Sequence, residues 1–200
     1  MLNCHIFSVI KLKIFIRYIT IYFIYMDFLK GDIWCISLKN NAARYLNSQN
    51  EFKKVSLNNI KYHRPKRDSR SGKIGCWNSH IHCMNESLKN NKNNNSYVTI
   101  FEDDIEFING WETQIDNIKQ FLTSEPRWDI FRLGCLFKSL TEPSISTPNV
   151  WRGKSLNCHA WILNLSFVRK LLENPIMFTP EKIIGFSNNF LTKDRFRIQA

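Results

Sequence analysis

The chain has 200 residues, a formal net charge of +11 and 44% hydrophobic residues. That length supports one domain with a real core, and an aromatic share of 14% belongs to a globular protein rather than a disordered one. The positive balance favours anionic partners, such as nucleotide phosphates, nucleic acid or a membrane surface, over cationic ones.

Residues 1–28 form an apolar, aromatic extension with Lys11, Lys13 and Arg17 before or within it. They read as a signal-anchor or as sequence upstream of a true start at Met26. Arg17 leaves the apolar run short of the ~20 residues a spanning helix needs. No small-residue cleavage site follows, which argues against a cleaved signal peptide. A membrane partner is expected through this segment alone. Residues 29–200 read as one domain.

"IWCISL" (residues 33–38) is a short buried strand of β-branched and aromatic residues. A polar turn and a helical stretch follow over residues 39–55. Residues 58–75, "NNIKYHRPKRDSRSGKIG", are basic and lack apolar periodicity, so a loop is expected. "GCWNSHIHCMNESLKN" reads as a helix opening at or just after Gly75. "YVTIF" is a second strand, and "WETQIDNIKQFLTS" an amphipathic helix with Trp111, Ile115, Ile118 and Leu122 on one stripe. "WDIFRLGC" is a third strand, residues 141–150 a Pro/Ser/Thr loop, and "HAWILNL" a fourth strand. "SFVRKLLENP" is a helix with Ser166 as N-cap and Pro175 marking its end. Alternating strands and helices predict an α/β sandwich with a mixed, mainly parallel central sheet.

Six cysteines (Cys4, Cys35, Cys76, Cys83, Cys135 and Cys158) include no CxxC pair, and buried free thiols are expected. Cys76, His80 and Cys83 recur at helical spacing with His82 close by. Structural zinc usually draws four ligands from separated pairs, so a structural zinc site is not expected here.

The chemistry gathers at "YVTIFEDDIEF", where Glu102, Asp103 and Asp104 follow an apolar strand. If the strand persists, Glu102 and Asp104 point the same way, and Asp103 points away or lies in a turn. Ligands of open α/β sheets bind outside the carboxyl ends of the strands. An acid pair there can hold Mn²⁺ or Mg²⁺ through oxygen ligands, shared with substrate phosphates. The spacing alone leaves a glycosyltransferase, a phosphatase, a nuclease and a kinase-like site open. A solvated acidic turn is the plain alternative.

Several separated blocks then match one family in order. "IWCISLKNNAARY", "SGKIGCWNSHIHC", "YVTIFEDDIEF", "WDIFRLGC" and "CHAWILNLSFVRKLL" resemble glycosyltransferase family 25. These are lipopolysaccharide-type and collagen-modifying sugar transferases, also found in large DNA viruses. The resemblance implies a GT-A-like fold and a UDP-sugar donor, galactose or glucose. It implies inverting transfer to a glycan or protein hydroxyl, in a host cytoplasm or viral factory, or at a membrane if residues 1–28 anchor the chain. By carry-over, Glu102 and Asp104 sit at the donor diphosphate with Mn²⁺ or Mg²⁺, and Asp104 is the better direct ligand. Asp103 hydrogen-bonds the ribose or donor sugar, and Leu38, Lys39 and Arg44 face the nucleotide, with an exposed helix residue as the plain alternative for Arg44. Ser79 and His80 match the family's "SH" and orient the donor or brace the loop before the acidic strand. His159 is a candidate third metal or phosphate ligand, or a structural histidine at a strand start.

Inverting transfer needs a general base. Related enzymes supply an acid from the C-terminal part, but "GFSNNF" has Gly185 and Asn188 where an acid is sought. Glu181 and Asp194 are the acids of residues 177–200 and the weak candidates for a catalytic role. Two other readings follow: a catalytically degenerate donor-fold binding module, and a basic protein that binds nucleic acid or an anionic surface. The second asks for aromatics that stack on bases within the run Lys61, Arg64, Lys66, Arg67, Arg70, Lys73. Only Tyr62 and His63 stand there, so nucleic acid is not the expected partner.

Overall fold

The structure is a computed structural model that describes residues 31–91, 97–125, 128–144, 150–173 and 195–198. Its elements run β1 (Gly31–Ile36), α1 (Ala42–Lys54), β2 (Ile60–His63), α2 (Gly72–Asn90), β3 (Tyr97–Glu102), α3 (Glu112–Ser124), β4 (Ile130–Pro143), β5 (Val150–Asn164), α4 (Leu165–Leu172) and β6 (Arg195–Ile198). The strands form one mixed sheet in the order β2-β1-β3-β5-β4-β6. β1 pairs in parallel with β2 and β3, and β5 runs antiparallel to β3 and β4. Helices flank the sheet, an α/β arrangement consistent with the GT-A-like fold expected from the resemblance.

Strand alternation sorts the core into two layers. On one face Phe101 packs with Ile33, Cys35, Phe52 of α1, and Ile115, Ile118 and Phe121 of α3. On the other, Val98 and Ile100 pack with Cys83 and Met84 of α2, Trp161, and Leu165, Val168 and Leu171 of α4. β3 lies between β1 and β5 and is buried on both faces, which is why "YVTIF" reads as a continuous apolar run. Gly31 is required where β1 begins: its φ is +150°, and a Cβ there would lie 2.0 Å from the Tyr97 carbonyl oxygen.

Several boundaries differ from the sequence reading. β2 lies inside the expected loop, because residues 60–63 pair in register with residues 33–36 of β1. A parallel ladder on a sheet edge recruits a basic segment that shows no periodicity of its own. α2 opens at Gly72 because the Ser71 hydroxyl accepts hydrogen bonds from the Lys73 and Ile74 amides. α4 is capped by Asn164 rather than Ser166: the Asn164 side chain accepts from the Ser166 amide at 2.9 Å and its hydroxyl at 2.8 Å. β4 and β5 also reach into residues 141–150 from both sides. Cys35 and Cys83 are buried free thiols and Cys76 is an exposed one. Residues 1–28 lie outside the described part. Among the described residues no helix is long and apolar enough to cross a membrane.

Candidate active site

The carboxyl ends of β1 and β3 and the interior of β5 come together here. In the parallel β1–β3 pair Ile36 stands opposite Glu102, so the tail of β1 runs beside the acids. In the antiparallel β3–β5 pair Phe101 stands opposite Ala160, so the next β5 residue, His159, arrives beside Glu102. Glu102 continues the Val98–Ile100 face, which α2 covers. It therefore meets two residues of α2: His80 Nε2 lies 3.2 Å from Glu102 Oε1, and the Cys76 thiol donates to the same oxygen at 3.4 Å.

β3 ends at Glu102, and Asp103 and Asp104 form a turn. Glu102 and Asp104 still converge, now because the turn folds back. His159 Nδ1 lies 2.9 Å from Asp104 Oδ1 and 3.5 Å from Glu102 Oε2. One ligand atom from each of Glu102, Asp104 and His159 falls within 4.8 Å of the others, a spacing that fits a divalent cation. The two carboxylates offer oxygen ligands of the kind Mn²⁺ and Mg²⁺ favour, with the imidazole as a nitrogen donor beside them. Burial acts to raise the Glu102 pKa, but hydrogen bonds from His80 and Cys76 and the positive fields of His80 and His159 outweigh it and hold the carboxyl below its ordinary value.

Arg44, in the first turn of α1, reaches across to the turn. Its Nε lies 3.2 Å from Asp103 Oδ1 and its Nη2 2.5 Å from Asp104 Oδ2. Asn41 places it, since the Asn41 side chain accepts from the Arg44 amide at 3.2 Å. Asp104 is thus shared, one oxygen facing Arg44 and the other His159. Asp103 is buried and Asp104 partly open.

Two clefts meet here. The first, about 250 Å³, is lined by Leu38, Arg44, Lys66, Arg67, Asp68, Gly75, Cys76, Ser79, Glu102 and Asp103 among others. The second, about 700 Å³, is lined by Arg44, Asn47, Glu51, Asp103, Asp104 and Glu106 among others. Arg44 and Asp103 stand in the wall of both. Leu38 is exposed at the first cleft, whereas Lys39 does not line it. The Lys39 backbone is stitched to the segment after β2, its amide donating to the Pro65 carbonyl at 2.9 Å and its carbonyl accepting from Arg64 at 3.0 Å. Ser79 lines the cleft with its hydroxyl donating to the Gly75 carbonyl at 2.7 Å. His80 lies beneath, buried edge-on against Trp161 with ring centroids 4.9 Å apart. Glu181 and Asp194 lie outside the described residues.

The basic run is divided between tasks. Lys61 pairs with Asp32, Arg64 lies over the Tyr45 ring, and Arg70 pairs with Asp68. Lys66 and Arg67 are left to line the first cleft. Tyr62 and His63 are engaged internally, Tyr62 against the Ser48 hydroxyl at 3.2 Å and His63 stacked on His82 at 4.1 Å. Burial and the neighbouring His82 push His63 down to about 4. Both rings are half-buried in these internal contacts, unlike the open rings of a base-stacking platform.

Sequence reasoning missed the Cys76 contact and the part played by Glu51. Glu51 is buried, accepts from the Phe107 amide at 2.9 Å and pairs with Lys54, and so ties the segment after the acids to α1. A buried acid in a helix of low apolar content gives no periodic signal. The Cys76 contact had one in principle: Cys76 and His80 are four apart, on one helix face. No curated protein matches the chain. The model of glycosyltransferase family 25, described as an LPS biosynthesis protein, matches residues 36–175, from the end of β1 to just past α4. That span takes in the acidic turn, the α2 contacts and His159, and the chain belongs to glycosyltransferase family 25.

Proposed function

We propose that the chain is a metal-dependent transferase that moves galactose or glucose from a UDP-sugar to a glycan or protein hydroxyl with inversion. The observation that carries this reading is the convergence of Glu102, Asp104 and His159, with Glu102 in the wall of the first cleft and Asp104 in the wall of the second. A divalent cation held there would offset diphosphate charge as the nucleotide departs.

The residues divide the work by position. Lys66 and Arg67 draw the diphosphate into the first cleft by charge. Arg44 leaves Asp104 for the donor phosphates, and Asp103, freed on one oxygen, accepts from the ribose or donor sugar. Leu38 packs against the nucleotide, with Lys39 at the rim. His80 and Ser79 hold Glu102 and the cleft wall in place. The second cleft admits the acceptor. The base that takes the acceptor proton is assigned to the segment after α4, where Glu181 and Asp194 are the candidates.

Calorimetric titration of UDP-sugars with and without Mn²⁺ tests the reading. Wild type is expected to bind UDP-galactose or UDP-glucose in Mn²⁺, and Asp104→Ala to bind at least about tenfold more weakly, the scale of one lost charge-assisted contact. A folded wild type that binds no UDP-sugar would refute the donor site. Binding without turnover on any supplied acceptor would support the degenerate module instead.

A further inference from the structure

The two oxygens of Glu102 face different partners. Oε2 faces His159 and belongs to the triad described above. Oε1 faces α2, with His80 Nε2 at 3.2 Å and Cys76 Sγ at 3.4 Å. Cys76 and His80 are separated by one helical turn and share a face. The three ligand atoms all lie within 4.8 Å of one another.

Tetrahedral zinc has bonds of ~2.0–2.3 Å, which puts neighbouring ligand atoms about 3.3–3.6 Å apart. The separations of His80 Nε2 and Cys76 Sγ from Glu102 Oε1, 3.2 and 3.4 Å, already stand close to that spacing. We propose that Cys76, His80 and Glu102 form a second cation site, open on one side and selective for a borderline metal such as Zn²⁺. Thiolate and imidazole favour Zn²⁺ over Mn²⁺ and Mg²⁺, so the two triads sort cations by softness while sharing one carboxylate. Cys76 is exposed in the wall of the first cleft, so a cation can reach it and the fourth position faces that cleft. On binding, the Cys76 S–H proton passes to solvent and the sulfur–metal bond forms.

Cys83 takes no part. It is fully buried in the core beside Met84, and burial pushes its thiol up. His80 Nδ1 is buried with no hydrogen-bond partner among the described residues. When Nε2 binds metal, any proton it carries passes to solvent and the ring keeps its proton on Nδ1, where no described group braces it. Affinity is therefore about 10–100-fold below that of a site whose histidine is braced.

This site stands or falls without any nucleotide sugar. Its test is titration of Co²⁺ into the reduced, full-length chain in the absence of nucleotide. A thiolate-to-cobalt charge-transfer band is expected, displaced by Zn²⁺, lost in Cys76→Ser and weakened at least tenfold in His80→Ala, but kept in His159→Ala. No band, a band that survives in Cys76→Ser, or a band lost in His159→Ala would each overturn the proposal. Because His80 is buried and its variant can misfold, peptide mapping of iodoacetamide-treated wild type gives a second readout. Zn²⁺ is expected to protect Cys76 from alkylation and Mn²⁺ not to. Equal alkylation with and without Zn²⁺ would overturn it as well.

Discussion

Arg44 already neutralises the turn that a cation would neutralise. The pair is partly exposed, and exposed ion pairs are worth only ~0–1 kcal/mol. A cation and a diphosphate together can therefore displace it. Arg44→Ala should bind Mn²⁺ alone up to about fivefold more tightly, because a competitor is gone, yet bind UDP-sugar in Mn²⁺ about tenfold more weakly. Calorimetry on the variant reads both, and a fall in both affinities would show that Arg44 acts only as scaffold. Glu102 makes a pH prediction. Its folded pKa lies below the ordinary 4.5, so its stabilisation is complete above about that pH and is lost as pH falls through the lower folded value. Denaturation midpoints should drop less steeply below pH 4.5 in Glu102→Gln than in wild type. Parallel curves would contradict the assigned contacts.

At the scale of elements, α2 and the segment before it form one unit. Gly75 permits this, since an added Cβ would lie 2.9 Å from the Asp68 Cβ and 3.4 Å from its amide nitrogen. Alanine suits a helix better than glycine by up to ~1 kcal/mol, so Gly75→Ala should hold its thermal midpoint to within ~4 °C. The segment carrying Lys66, Arg67 and Asp68 must shift, and UDP-sugar affinity should fall severalfold. A melt beside a titration separates the two effects, and unchanged affinity would show that this segment does not contact the donor. What was legible in the sequence follows the same division. β1 and β3 showed as buried apolar runs, and α3 and α4 because burial of one face patterns their own residues. β2 did not, because its partner β1 lies about 25 residues upstream and supplies the reason for it. The pairing of Glu102 with Asp104 was legible as spacing, although a turn rather than strand alternation brings them together. That His80 serves Glu102 was not legible, since α2 meets β3 only through packing on a shared sheet face.

Across the whole molecule, the order β1-β3-β5 is what makes a site from residues scattered along the chain. Parallel β1 delivers Leu38 and, through α1, Arg44. Antiparallel β5 delivers His159, 55 residues from Asp104, to the same strand end. The apolar layers on both faces of the sheet hold that register, and a one-residue slip of β5 would turn its buried residues to the opposite faces. The proposed function has this strand end hold the cation that meets the donor. Anomalous diffraction at the manganese edge, from crystals grown with Mn²⁺ and UDP, tests it most directly. A manganese peak is expected in bonding contact with Asp104, Glu102 and His159, with the UDP diphosphate extending into the cleft of Lys66 and Arg67. A peak that touches none of those three side chains would contradict it.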